Sequence, residues 1–197
     1  MQIIKIFLAS SGELKEEREQ IGLFIAQENK ALVKQDIFLE LIVWEELLHS
    51  FRGERIQEYF NKEMLKCNIV IALFYKKVGQ FTKEEFDLAY KELKEGRNPQ
   101  HMFVFFKEGS TKDINKDYIK IIELKEDIEK AEQMYNNFSS IEDLILKLKR
   151  QLDQVIPKRL ASLEKEPTIN IKDSQIAIGN GIAQANNGST ATVTINC

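Results

Sequence analysis

The stretch "NIVIALFYKKVGQFTKEEFDLAY", residues 68–90, contains the strongest indication of the fold class in this chain. Its first part, as far as Tyr75, is a continuous apolar run rich in β-branched residues, which is typical of a strand buried on both faces of a sheet. Its second part is an amphipathic helical pattern, and Gly96 just beyond it is a candidate C-cap. A buried strand that leads through a short loop into such a helix predicts one unit of an α/β fold.

The same alternation recurs on both sides of this unit. Strand-like runs are predicted at 3–8, 37–44, 68–75, 102–106 and 133–138. Helical patterns separate them, among them 51–66, 82–95 and 115–131. A last helix is capped by Ser139-Ser140-Ile141-Glu142 and ends near Pro157. Alternating strands and helices predict a mostly parallel sheet with right-handed crossovers. Ligands of such sheets bind beyond the carboxyl ends of the strands.

The composition narrows the class of protein. A chain of 197 residues is long enough for one domain with an appendage. Its net charge of −3, with acidic and basic residues interleaved, argues against a nucleic-acid partner. Two cysteines and two histidines give no disulfide framework and little basis for a metal site. The apolar run at the start is too short for a signal peptide, and no run reaches membrane-spanning length, so we expect a cytoplasmic protein without a membrane partner.

The loop after the first strand contains two serines. Ser10 and Glu13 match a capping box, in which Ser10 would be the N-cap of the first helix. Ser10, Ser11 and the helix amides could also hold a ribose or a phosphate, and the two roles are compatible. Neither a Walker A pattern nor a G-x-G-x-x-G pattern occurs, which argues against a P-loop NTPase and an ordinary Rossmann dehydrogenase.

Two adjacent acids, Glu84 and Glu85, follow the strongest predicted strand. A carboxylate near the start of a helix is favoured by the helix dipole, so both acids could be structural. Glu85, however, shares a helix face with Ala89, and Phe81 lies one turn before it, where it would exclude water. Glu85 is therefore the candidate catalytic residue, and Glu84 is expected to be solvated. A lone glutamate cannot perform a two-carboxylate glycosidase mechanism, but it could bind ribose hydroxyls and stabilise an oxocarbenium-like state.

Other candidate ligand-binding residues follow the second strand. Trp44 is the only tryptophan, and it would either pack at the rim of the core or shape a pocket. Arg52 and Arg55 would either lie on a solvated helix face or bind an anion or a neighbouring subunit.

The chain ends in a segment of different composition. Residues 1–156 are predicted as the α/β domain, 157–166 as a linker and 167–197 as a β-rich tail. Apolar residues alternate at Ile176 and Ile178, and Asn180-Gly181 is a turn signal. So few residues cannot bury a core alone. The tail is either a disordered end or a set of strands that pack against copies from other protomers, and we favour the second reading, an oligomerising tail.

Three segments together resemble the Toll/interleukin-1 receptor (TIR) superfamily, and bacterial TIR-like domains in particular. They are "IKIFLASSGELKEERE" at 4–19, "RIQEYFNKEMLKCNIVIALFYKKVGQFTKEEFDLAY" at 55–90 and "MYNNFSSIEDLILKLKRQL" at 134–152. The resemblance covers about residues 1–156. One departure is that Phe81-Thr82-Lys83-Glu84 stands where the family usually has Trp-Cys ahead of its catalytic glutamate.

The resemblance implies a flavodoxin-like five-stranded parallel sheet of order 2-1-3-4-5 with helices on both faces. It also implies an effector of bacterial defence that is activated by self-assembly and cleaves the nicotinamide–ribose bond of NAD, with NAD as substrate and no cofactor. Glu85 would be its catalytic residue, and Ser10, Ser11, Trp44 and Phe81 would line the site. Two alternatives remain open: a non-enzymatic signalling or scaffold module, and a nucleoside ribosyltransferase or hydrolase with Glu85 as covalent nucleophile.

Overall fold

The computed structural model describes residues 1–43, 55–76, 78, 80–109, 116–131, 133–156, 176–178 and 181–183. The chain divides into two compact units, Met1–Lys158 and Arg159–Cys197. Within the described residues, no helix has the length and apolar character needed to cross a membrane.

The first unit alternates strands and helices along the chain. In order, these are β1 (Gln2–Ser10), α1 (Lys15–Leu32), β2 (Ile37–Val43), α2 (Ile56–Met64), β3 (Ile69–Phe74), α3 (Gln80–Lys94), β4 (His101–Lys107), α4 (Lys116–Lys130), β5 (Asn136–Phe138) and α5 (Ile141–Val155). The five strands form one parallel sheet of order β2-β1-β3-β4-β5. The arrangement is flavodoxin-like, and the predicted fold and strand order are confirmed.

Strand β3 lies in the middle of the sheet and is buried along its whole length. Its alternate side chains enter cores on opposite faces, because successive residues of a strand point to opposite sides. Ile69, Ile71 and Leu73 pack with α1 and α5. The remaining residues of β3 pack on the other face, among side chains of α2, α3 and α4. Helices therefore cover both faces of the sheet.

The position of α3 over the sheet determines where its first turns lie. Ala89 of α3 packs with Phe7 and Ala9 of β1 and with Phe60 and Met64 of α2. The helix runs back over the sheet from the carboxyl end of β3, since a parallel sheet requires that crossover. Residues that precede Ala89 in α3 are therefore nearer the carboxyl ends of the strands, and α2 lies beside them.

One side chain of α1 bonds to an edge strand. Asn29 is buried, its Nδ2 donates to the Leu39 carbonyl oxygen at 2.9 Å, and its Oδ1 accepts from the Leu39 amide at 2.8 Å. Strand β2 is the end strand of the sheet and pairs with β1. The amide and the carbonyl of Leu39 bond to Asn29 rather than to a further strand. The amide side chain thus satisfies polar groups that the sheet leaves unpaired at its edge.

The second unit contains a short antiparallel pair. Strand β6 (Ile176–Ile178) pairs with β7 (Gly181–Ala183), with Ile178 opposite Gly181. The alternating Ile176 and Ile178 fall in β6, whereas the rest of the predicted tail strands lie outside the described residues. The role of the tail in oligomerisation stays a prediction.

The predicted C-cap at Gly96 is confirmed by its backbone geometry. Gly96 has φ of 70°, its amide donates to the Leu93 carbonyl at 3.1 Å, and the Arg97 amide donates to the Glu92 carbonyl at 3.0 Å. These two bonds form a Schellman motif, which requires a left-handed residue at this position. A Cβ at Gly96 would meet no atom within 4 Å, so a side chain there would affect only the backbone energy.

We expect Gly96→Ala to lower the free energy of unfolding by about 1 kcal/mol, because a Cβ disfavours the left-handed conformation. Urea unfolding measures the change. Gly12→Ala is the matched control, since Gly12 also has open space around its Cα but no positive φ. Equal effects of the two substitutions would contradict the assignment of the loss to backbone conformation.

Candidate functional site

The sequence-predicted site residues lie in different surroundings. Ser10 is the last residue of β1, Ser11 follows it, and Glu85 lies in the second turn of α3. Trp44 lies outside the described residues, as does the side chain of Phe81. Among the described residues, no hydrogen bond joins Glu85 to either serine. The structure therefore places the three described candidates toward the carboxyl end of the sheet without a hydrogen bond between Glu85 and the serines.

Glu85 is a buried carboxyl between two helices. It is 5% exposed, and its Oε1 accepts a hydrogen bond of 3.2 Å from Nε2 of Gln57 on α2. Burial raises the pKa of Glu85 from 4.5 to about 7; the Gln57 hydrogen bond opposes this rise, and the charge of Glu84 adds to it. Near neutral pH both protonation states are populated, and a carboxyl with this property can exchange a proton or stabilise a cation.

Glu84 is not an isolated surface residue. Its Oε1 accepts a hydrogen bond of 3.0 Å from Nδ2 of Asn61, and Nη2 of Arg55 lies 3.5 Å from its Oε2. Asn61 also bonds to Gln57, whose Nε2 donates to Asn61 Oδ1 at 3.1 Å. The prediction that Glu84 is solvated therefore fits only the side of its carboxylate that faces the exposed Arg55. Arg52 lies outside the described residues.

Gln57 and Asn61 were not predicted from the sequence as site residues, although the position of Gln57 on α2 is one indication. Gln57 lies three and seven residues before Phe60 and Met64, so it shares their core-facing side of α2. It is 2% exposed. A polar residue on an apolar helix face needs a partner, but the sequence does not name that partner.

The loop after β1 differs from the predicted capping box, which is wrong. Strand β1 continues through Ser10, and α1 begins at Lys15 with Leu14 as its N-cap. The Ser10 hydroxyl accepts a hydrogen bond of 3.0 Å from Nη1 of the buried Arg18, so it is not a helix cap. Glu13 instead accepts a hydrogen bond of 3.2 Å from the Lys76 amide, beyond the end of β3.

Ser11 carries an unsatisfied hydroxyl. Its carbonyl oxygen accepts a bond of 2.8 Å from Nη1 of Arg18, but its buried Oγ has no hydrogen-bond partner in the described part of the chain. Buried hydroxyls are normally paired, so an unpaired one at the carboxyl end of a parallel sheet can bind a ligand.

A second buried carboxylate lies close to this loop. Glu17 of α1 is 1% exposed, and its Oε1 is 2.5 Å from Nζ of Lys107 at the end of β4. The Lys107 ammonium also lies 5.0 Å from the ring centre of Tyr75. This charge pair joins α1 to the end of β4.

Other reactive groups are less suited to chemistry. Burial raises the pKa of the Cys67 thiol to about 12, so this residue stays protonated and is a poor nucleophile. The described residues contain no group of three His, Cys, Asp or Glu side chains that could hold a metal ion.

No family model matches the chain, and no curated protein matches it in sequence.

We expect Glu85→Gln to stabilise the fold in a pH-dependent way. Below pH 4.5 the carboxyl is protonated in both the folded and the unfolded chain, so the substitution has little effect through charge. Between pH 4.5 and about 7 the unfolded chain loses the proton first, and the wild type loses stability relative to the variant. Above that range the difference reaches about 3 kcal/mol.

Urea unfolding between pH 4 and pH 8 measures this difference. Glu58→Gln is the control, because Glu58 is an exposed neighbour of Gln57 on α2. A stability difference between wild type and Glu85→Gln that does not change with pH would show that Glu85 has an ordinary pKa.

Proposed function

We propose that the chain is a TIR-like enzyme that cleaves NAD, releases nicotinamide and acts as an effector of bacterial defence. The single observation that carries the proposal is Glu85, a buried carboxyl with a near-neutral pKa in the helix after the central strand. Its environment supports a direct chemical role, since a carboxylate placed only for solubility or helix stability would be expected at the surface.

The fold supports a nucleotide site at the same end of the molecule. In the order β2-β1-β3-β4-β5, the chain changes direction across the sheet between β1 and β3. Parallel sheets bind ligands at the carboxyl end of such a switch point. Ser11, whose Oγ has no hydrogen-bond partner among the residues that the structure describes, follows β1, and α3 with Glu85 follows β3. A ribose between them would have a hydroxyl partner on one side and a carboxylate on the other.

The chemistry needs Glu85 in its ionised form. The bond between ribose C1′ and the pyridinium nitrogen breaks heterolytically, and its electron pair stays on nicotinamide, which leaves as a neutral molecule without needing a proton. The ribose is left with positive charge, which the carboxylate of Glu85 stabilises while a ribose hydroxyl donates to it. Water then attacks C1′ and loses a proton to solvent, giving ADP-ribose.

We expect the concentrated protein to release nicotinamide from NAD at a rate that rises with pH through about 7 and then levels off, because the active carboxylate forms in that range. We expect Glu85→Gln to lower the rate by about a hundredfold or more. Chromatographic detection of nicotinamide measures both effects, with Glu58→Gln as the active control. No release by the assembled wild type would leave the non-enzymatic module as the better proposal.

We also propose that the tail, residues 167–197, assembles the protein. Strands β6 and β7 have three residues each, and a two-stranded pair of that length is not stable in water without a packing partner. Copies of the same tail from other protomers would supply that partner.

We expect truncation after Glu166 to lower the oligomeric mass and, with it, nicotinamide release at a given protein concentration. Light scattering coupled to gel filtration measures the mass. The α/β unit Met1–Lys158 is kept whole by this truncation, so far-ultraviolet circular dichroism should still show its helices. An unchanged mass would remove the proposed role of the tail.

A further inference from the structure

Four polar side chains form a continuous row of hydrogen bonds between α2 and α3. Glu84 accepts from Asn61 at 3.0 Å, Asn61 accepts from Gln57 at 3.1 Å, and Glu85 accepts from Gln57 at 3.2 Å. Two members of the row, Gln57 and Glu85, are buried, and Asn61 joins them to the half-exposed Glu84. The row thus connects the outer carboxylate to the inner one through two amides.

The row has a direction because an amide has one donor end and one acceptor end. An ionised carboxylate only accepts hydrogen bonds, so Glu84 requires the Nδ2 end of Asn61. This turns Oδ1 of Asn61 toward Gln57, which must present its Nε2. The two hydrogens of that nitrogen then serve Asn61 and Glu85. If Asn61 were reversed, its oxygen would face the Glu84 carboxylate and the row would lose a bond.

We propose that Glu84, Asn61 and Gln57 are positioning residues that hold Oε1 of Glu85 and leave its Oε2 to accept from the substrate. No hydrogen bond within the described residues occupies Oε2 of Glu85. The assignment of Oε2 to a ribose hydroxyl rests on the proposed function, whereas the positioning of Glu85 by the row does not. Glu84 therefore acts on the site through two amides as well as through its charge.

Glu84 acts on Glu85 in two ways, through its charge and through the row of hydrogen bonds. The other charged groups around Glu85 allow these two effects to be separated. Glu84 is the charge that acts on Glu85 from α3, and Gln57 is the donor that acts on it from α2. Arg55 pairs with Glu84, and Lys83 pairs with Asp87 at 2.5 Å on α3. Asp87 thus carries a like charge two residues from Glu85 but does not belong to the row, which makes it a matched control.

The test is a double-mutant cycle that reads the pKa of Glu85 by carbon-13 NMR of labelled glutamate carboxyls. Glu84→Gln removes a like charge, which lowers this pKa, but it also loosens the row, which raises it. In an Asn61→Ala background only the first effect remains. We therefore expect Glu84→Gln to lower the pKa of Glu85 more in that background than in the wild type. Asp87→Asn, which leaves the row intact, should have the same effect on this pKa in both backgrounds.

Equal effects of Glu84→Gln in the two backgrounds would overturn the positioning role. If Asn61→Ala does not fold, Asn61→Ser replaces it. A second readout is Gln57→Met, which keeps the length of the side chain and removes the donor. We expect it to raise the pKa of Glu85 above about 7, and an unchanged pKa would contradict the proposal.

Kinetics tests the link to catalysis. At a pH above the raised pKa, where Glu85 is ionised in both proteins, we expect Gln57→Met to lower kcat for nicotinamide release about tenfold to a hundredfold with little change in KM, because the carboxylate is then present but misdirected. An unchanged kcat would overturn the substrate role of Oε2. A non-additive cycle in a protein that does not cleave NAD would support the row and reject the proposed function, so the two failures are distinguishable.

Discussion

The burial of β3 on both faces and along both edges constrains the rest of the structure. Its six residues, Ile69–Phe74, are at most 1% exposed. Their backbone groups bond to β1 and β4, because no water reaches them. Their side chains require a helical layer on each face. Parallel pairing then brings the loops after all the strands to one edge, where the serines and the first turns of α3 lie.

The chemical character of Glu85 is a consequence of this packing. Helix α3 must cover β1 and β3 with Ala89, and α2 must lie against it to bury Phe60 and Met64. A carboxyl one turn before Ala89 is thereby removed from water, whatever its function. The packing disfavours the ionised form, and Gln57 restores only one hydrogen bond. The result is a carboxyl whose protonation changes near neutral pH.

Two similar serine patterns show where local rules suffice and where they fail. The segment Ser139–Glu142 caps α5 as predicted, and within it the Ser140 hydroxyl accepts from the Asp143 amide at 3.2 Å. Ser10 has the same kind of pattern but lies in β1, opposite Leu73 of β3, and its hydroxyl bonds Arg18. Pairing with β3 extends β1 through Ser10, whereas the capping pattern would end the strand before that residue. A tertiary contact thus overrides a local preference.

The sequence by itself determined the order of strands and helices, the burial of β3 and the left-handed cap at Gly96. These features depend on the periodicity of neighbouring residues and on the conformational freedom of glycine, both of which are local. Only the tertiary structure decided that Gln57 faces Glu85, 28 residues away, that Asn61 faces Glu84, and that Asn29 bonds to Leu39. The physical reason is that a buried polar side chain must find a partner, and its partner depends on which distant helix or strand packs against it.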